Sequence, residues 1–301
     1  MIAILGATGY IGRSLAREIA ANDDESLTLF ARAPAVLGDT AWPRRVSIRP
    51  LNEFRADEFD VVVNAIGAGG PAKVAALGAD LVDVTRTWDE RVLKTMNSNT
   101  GYVFLSSGAI YGTVFDQPVD QNSELAVPVN QLESFSAYTL SKLYAEARHR
   151  HHATFRIMDI RIFGYADMSI PLESGFFLAD LVRSMVRGEV LTTSPDAMIR
   201  DYVGSAELLS LIGCWREANN PNCALDLYSL APVSKQELLD HAISCYGLKI
   251  HFAEAGRRAA EAKRVFASSF RGAADIGYTP WRTSMEIVSE VLAKCMRRAE
   301  R

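Results

Sequence analysis

The chain has little of what marks a secreted, membrane-embedded or nucleic-acid-binding protein. Its 301 residues include four cysteines, Cys214, Cys223, Cys245 and Cys295. All lie in the last third and none forms a CxxC pair. This argues against a disulfide scaffold and for a reduced, cytoplasmic protein with cysteines as apolar fillers. No apolar stretch reaches the roughly 18 residues of a membrane helix, so no membrane partner is expected. No basic segment precedes the first apolar run, so no signal peptide is expected either. Positive charge is not in excess: 32 Lys+Arg face 36 Asp+Glu, for a formal net charge of −4, which speaks against nucleic acid as a partner. Internal repeats and low-complexity tracts are missing. At 49% hydrophobic and 23% charged residues the chain is too apolar and too evenly charged for disorder. Its length suits one large domain or two small ones.

What is present is alternation. Short apolar runs at Ile2–Leu5, Leu27–Phe30, Val46–Pro50, Val61–Ile66, Tyr102–Ser106 and Phe155–Ile162 are separated by longer segments. Among these, Gly12–Ala21, Asp89–Asn97 and Tyr138–His149 read as helices. Continuous apolar strands alternating with helices predict an α/β fold with a doubly wound parallel sheet of the Rossmann type. After residue 163 the rhythm breaks: Pro171, Gly175, Gly188 and Pro195 punctuate shorter elements. Leu178–Val186 and Ala206–Arg216 read as helices and Leu225–Leu230 as one more strand. Ser234 with Glu237 forms a capping box, and Thr283 or Ser284 caps the last helix. The expected division is a dinucleotide-binding domain over 1–163, to which part of 200–230 returns, and a smaller, mixed substrate-binding lobe over 164–301.

Residues 6–12 read GATGYIG, directly after the first strand and before the first helix. Glycines at 6, 9 and 12 allow a sharp turn and a close backbone approach to a pyrophosphate. The helix start aims free N–H groups at the phosphates. Gly6, Thr8, Gly9, Tyr10, Ile11 and Gly12 are therefore cofactor candidates, with Ala65 and Gly67 at the small-residue end of the fourth strand. An NAD-binding chain usually carries an acid at the end of the second strand. Here that place holds Arg32, suited to a 2′-phosphate, so NADP is favoured and NAD stays possible.

Tyr138 and Lys142 lie four apart in YTLSK, on one face of a helix. An ammonium beside a phenol favours the phenolate, making Tyr138 a general acid/base, while Lys142 can also donate to ribose hydroxyls. Ser107, just after the fifth strand, can hydrogen-bond the same substrate oxygen. Glycine loop, strand-end serine and YxxxK follow one another in the order such chemistry needs.

Taken together, these segments resemble the extended short-chain dehydrogenase/reductase family, in its nucleotide-sugar epimerase, dehydratase and reductase branch. GATGYIG is similar to its cofactor loop and SSGAIYG (106–112) to its serine motif. YTLSK (138–142) resembles its YxxSK motif, followed by Glu146. RDYV (200–203) and GYTP (277–280) are similar to its later segments. The resemblance implies Ser107, Tyr138 and Lys142 as catalytic residues, and Tyr138 and Lys142 at the cofactor. It also implies Ser107 and Arg200 at the substrate, Arg200 toward a nucleotide-sugar diphosphate, and a homodimer built on the helices near 89–97 and 137–149.

The chain departs from that family at Ser107-Gly108-Ala109, where dehydratases carry Thr-Asp-Glu, so dehydration is disfavoured. Asp83 stands where an Asn is usual, Gly164 replaces the Asn of the LRxFNxxG stretch, and Gly204-Ser205-Ala206-Glu207 replaces HVDD. His149, His151 and His152 read as a cationic helix end rather than a metal site. The expected activity is a 4-keto reductase or C4-type epimerase on a nucleotide sugar. A non-catalytic dinucleotide sensor on the same fold is the alternative.

Overall fold

The computed structural model describes every residue except 23, 39, 69, 113–115, 133–134, 219–221, 254–263 and 301. Seven parallel strands form its central sheet: β1 (Ile2–Leu5), β2 (Leu27–Ala31), β3 (Val46–Pro50), β4 (Val61–Asn64), β5 (Gly101–Ser107), β6 (Arg156–Ile162) and, after four short strands of the second half, β11 (Asn222–Leu227). Their order is β11-β6-β5-β4-β1-β2-β3. Ile2 pairs with both Leu27 and Val61, so the order reverses on either side of β1. A ligand crevice opens at such a switch point, outside the carboxyl ends of the strands.

Each strand is apolar throughout because both of its faces are covered. Ile2, Ile4, Val61, Val63, Val103 and Leu105 point to one face, packed with Leu15 and Ile19 of α1 (Tyr10–Asn22) and Leu211 and Trp215 of α6 (Ser205–Glu217). Ala3, Leu5, Val62, Tyr102 and Phe104 point to the other. There they meet Val92 and Leu93 of α3 (Asp80–Thr95), and Ala145 of α4 (Ala137–His151). This period-2 division makes a three-layer core. Helix α3 begins nine residues before the expected Asp89, behind a short α2 (Pro71–Leu77) that the apolar pattern did not signal. The strand expected at Leu225–Leu230 runs three residues earlier.

A second core gathers Leu178, Leu181 and Val182 of α5 (Phe177–Arg187), Leu238 and Leu239 of α7 (Lys235–Tyr246), and Ile287, Val288 and Leu292 of α8 (Ser284–Ala299). Short strands lace it together: β7 (Gly164–Tyr165) with β10 (Tyr202–Val203), β8 (Leu191–Thr193) with β13 (Ile250–Phe252), and β9 (Ile199–Arg200) between β12 (Val233–Ser234) and β14 (Val265–Phe266). Capping boxes start α7 at Ser234 with Glu237 and α8 at Thr283 with Glu286. No helix of the described residues is long and apolar enough to cross a membrane.

Candidate active site

The glycine loop sits where β1 ends. Gly6 has φ +75°, a conformation that costs a glycine little and other residues much, and a Cβ there would lie 3.0 Å from the Ala65 carbonyl. A Cβ on Gly12 would stand 2.5 Å from the Gly6 oxygen. The loop therefore lies against the segment after β4 with no room for side chains. The first α-helical bond of α1 runs from the Arg13 N–H to the Gly9 oxygen at 2.9 Å. The amides of Tyr10, Ile11 and Gly12 precede it and remain available to an anion. Tyr10 is locked in place: its hydroxyl accepts from the Asp167 N–H at 2.8 Å, and its ring meets Tyr165 edge-on at 5.3 Å. These features fit a dinucleotide. Gly6, Gly9, Tyr10, Ile11 and Gly12 would hold its pyrophosphate.

Helix α4 carries the candidate acid/base pair, Tyr138 and Lys142. Ser136 caps it by accepting from the Thr139 N–H, and helix formers such as Leu140, Lys142, Leu143, Ala145 and Glu146 continue it. Tyr138 is half-buried, with the Ser107 hydroxyl beside its phenol. Burial pushes the phenol up and the nearby Ser107 hydroxyl pulls it back. Lys142 is buried, donates to the Leu105 carbonyl at 2.7 Å, and lies 4.4 Å from the centre of the Phe104 ring and 5.9 Å from that of Tyr138. Burial lowers its ammonium to about 8, against the pull of Glu146, Asp159 and Asp89. A Cβ on Gly67 would be 3.8 Å from the Lys142 nitrogen. The lysine thus borders the segment after β4, within reach of a ribose lodged there. Ser107, Tyr138 and Lys142, far apart in sequence, meet at the carboxyl ends of β4 and β5.

Two buried polar networks hold this arrangement. In the first, Ser106 donates to Glu146 at 2.5 Å and Glu146 receives Arg161 at 2.7 Å. Arg161 donates to the Tyr111 hydroxyl at 2.7 Å, and Tyr111 donates to Asp226 at 3.1 Å. In the second, the Asn64 amide donates to Tyr102 at 2.9 Å and Tyr102 donates to Asp89 at 3.1 Å. His149 bridges Asp89 and Asp159 at 2.7 and 2.6 Å. Asn64 also accepts from the Ile66 N–H at 3.0 Å, which shapes the loop after β4. Burial alone would lower the His149 imidazole, but the two aspartates raise it to about 9. His149 is thus a buried ion-pair member rather than a solvated helix-end cation, because α4 turns it inward against α3 and β6. No metal-binding group of three or more ligands occurs among the described residues.

Other expectations meet the structure unevenly. Asp83 is exposed, paired with Arg86 at 3.1 Å. Only Cys295 of the four cysteines is buried and Cys245 is exposed, since α7 turns Cys245 outward. Arg32 is exposed at the end of β2, close enough to Lys73 to help lower that ammonium, burial being the larger cause. Arg200 is half-buried and bonds the Ile199 carbonyl at 2.8 Å. It lines a cavity of about 520 Å³ that Ser107 and Tyr138 also line, together with Tyr10, Ile11, Phe163, Phe177, Met198 and Tyr202. Apart from Tyr10 and Tyr138, the aromatic lining went unseen in the sequence because it comes from several separate segments.

The family model described as the NAD dependent epimerase/dehydratase family matches residues 2–215. The chain belongs to that family. Solved structures agree on the fold of this family member. MoeE5 in complex with UDP-glucose and NAD is 19% identical, with TM-score 0.78, covering 100% of this chain and 99% of its own. The UDP-glucuronic acid 4-epimerase from Bacillus cereus, in complex with UDP-glucuronic acid and NAD, is 14% identical, with TM-score 0.79 and 99% of each chain covered. The UDP-glucose 4-epimerase from Thermotoga maritima, with UDP-glucose, is 14% identical, with TM-score 0.79, covering 100% of this chain and 99% of its own. No curated protein sequence matches the chain.

Proposed function

We propose that this protein is an NAD(P)-dependent oxidoreductase or epimerase of nucleotide sugars, acting at a sugar carbonyl or secondary alcohol as a 4-keto reductase or C4-type epimerase. The observation that carries this reading is the meeting of Ser107, Tyr138 and Lys142 beside a glycine loop with open first-turn amides. The solved relatives bind UDP-sugars and NAD, which supports the substrate class. A bound dinucleotide supplies the hydride acceptor and donor. Tyr138 moves the proton at its phenolic oxygen, Ser107 holds the substrate oxygen and Lys142 favours the phenolate while anchoring a ribose. Arg200 holds the diphosphate, in the lobe over 164–301 that we assign to substrate. Ser107-Gly108-Ala109 leaves the serine motif without the acid pair that elimination needs.

For the cofactor, Arg32 with Lys73 beside it favours a 2′-phosphate and thus NADP, although the solved relatives hold NAD. The exposed Leu140 and Tyr144 on α4 support a homodimer through α3 and α4. The deciding experiment is Tyr138→Phe. Turnover should fall by about 10²–10⁴ while dinucleotide binding is kept. Unchanged turnover would reject the acid/base role and leave a dinucleotide sensor as the better reading.

A further inference from the structure

The 520 Å³ cavity contains a chemical contrast that the proposed function does not use. Several of its polar side chains are already engaged. Ser106 is held by Glu146, Ser136 caps α4, the Tyr10 hydroxyl bonds Asp167, and the Tyr165 hydroxyl donates to Ser14 at 2.9 Å. This leaves two groups facing the space: Ser107 and Tyr138 with Thr139 on β5 and α4, and Arg200 with Tyr202 on β9 and β10. No carboxylate lines the cavity among the described residues.

The rest of the wall is apolar. Phe163, Ile170, Phe176, Phe177, Met198 and Phe266 belong to it. Phe163 stands next to the serine motif, since a Cβ on Gly108 would meet its ring at 2.5 Å. The Phe163 ring is fixed between Tyr111 at 6.2 Å and Phe266 at 5.1 Å. A hexose with its full set of hydroxyls would press several of them against this wall, and a hydroxyl taken from water without a partner is costly. A ring carrying a methyl or hydrogen in those places loses no hydrogen bond and gains contact. Arg200 meanwhile suits an anionic handle, and among the described residues no carboxylate lines the cavity to pair with an amino sugar's ammonium.

We infer that the sugar this cavity admits is a deoxy sugar, its ring stripped of at least one hydroxyl or hydroxymethyl oxygen on the side lodged against Phe163, Phe177 and Met198. This rests on the nucleotide-sugar reading above. The test is calorimetric titration of the protein loaded with oxidised dinucleotide. The probes are UDP-, dTDP- and GDP-linked hexoses, each paired in turn with its 2-, 3-, 4- and 6-deoxy counterparts, plus the free nucleoside diphosphates. The deoxy member of the accepted pair should bind about tenfold more tightly or better. The near-isosteric Met198→Gln should narrow that ratio. Equal or weaker binding of the deoxy member overturns the inference and leaves the nucleotide-sugar reading standing, as does a ratio that Met198→Gln leaves unchanged. Failure of every nucleotide and nucleotide sugar to bind overturns that reading, and this inference with it.

Discussion

Lys142 and Leu105 are joined by a 2.7 Å hydrogen bond from the buried ammonium to the carbonyl two residues before Ser107. The bond fixes the lysine between the serine strand and Tyr138, and burial lowers it to about 8 from an ordinary 10.5. A cation whose folded value is depressed destabilises the fold while it stays charged. The penalty is full below pH 8 and is relieved as pH rises towards 10.5, because the unfolded chain then holds more protons. Lys142→Met should therefore gain stability relative to wild type at pH 7, with the gain fading by pH 10. Its turnover should fall sharply at both. Urea midpoints of the two proteins across that range check the claim, and a pH-independent difference would refute it.

Gly12→Ala puts a methyl 2.5 Å from the Gly6 oxygen, backbone that cannot swing aside. The loop must shift, at a cost of about 1–3 kcal/mol, and the dinucleotide dissociation constant should rise about tenfold or more, since 1.4 kcal/mol is a factor of ten. Gly213→Ala on α6 is the control, because a Cβ there meets nothing within 4 Å. It should leave cofactor binding untouched and stabilise the helix by up to about 1 kcal/mol. Fluorescence titration with both nucleotides distinguishes the two glycines. Equal affinities in both variants would mean that loop closeness does not shape the pyrophosphate cradle.

The sequence spoke where a single residue or a short spacing bears the physics. The apolar strands are legible because both faces of the sheet are covered, so no polar alternation blurs them. The glycine loop is legible because steric exclusion names its residue type. The YxxxK pair is legible because four residues close one helical turn. What stayed hidden depends on meetings across the chain. Nothing around His149 predicts Asp89 and Asp159 as partners, and its neighbours Arg148 and Arg150 suggest a solvated end. Asn64 left a faint mark, a polar residue closing the run of three valines. The cavity wall left none, because Phe163, Phe177, Met198 and Phe266 each sit in an unremarkable segment and acquire meaning only when α5, β14 and the residues flanking β6 and β9 converge.

The proposed preference for NADP rests on Arg32. It is exposed at the end of β2, and its field falls on Lys73, whose ammonium donates to the Gly67 carbonyl at 2.9 Å. Two neighbouring cations repel until an anion sits between them, and a 2′-phosphate fits that need. Arg32→Asp should raise the NADP dissociation constant and lower that of NAD, reversing their ratio. The loss for NADP should shrink at high salt, because exposed charges are screened. A ratio that does not move on substitution would remove Arg32 from cofactor selection.

His149 gives the sharpest test of the buried network. Its folded value of about 9 lies above the ordinary 6.5 because Asp159 and Asp89 hold the proton against burial. A raised value adds stability that is complete below pH 6.5 and is lost as pH climbs through 9. His149→Gln leaves two buried aspartates short of a cation, and breaking such a pair costs on the order of 3–5 kcal/mol. The stability gap between wild type and His149→Gln should thus be widest at pH 6 and shrink by pH 9.5. Tyr102→Phe should behave differently. It cuts the link from Asp89 to Asn64 without touching charge, so its stability cost should hold steady with pH. Dinucleotide affinity should also drop, because Asn64 then loses one of the two bonds that set the β4 loop. Chemical denaturation at the two pH values, with a cofactor titration of each variant, separates the charge role of His149 from the positioning role of Tyr102. A gap for His149→Gln that is as wide at pH 9.5 as at pH 6 would show that the imidazole is not held as a cation between its aspartates.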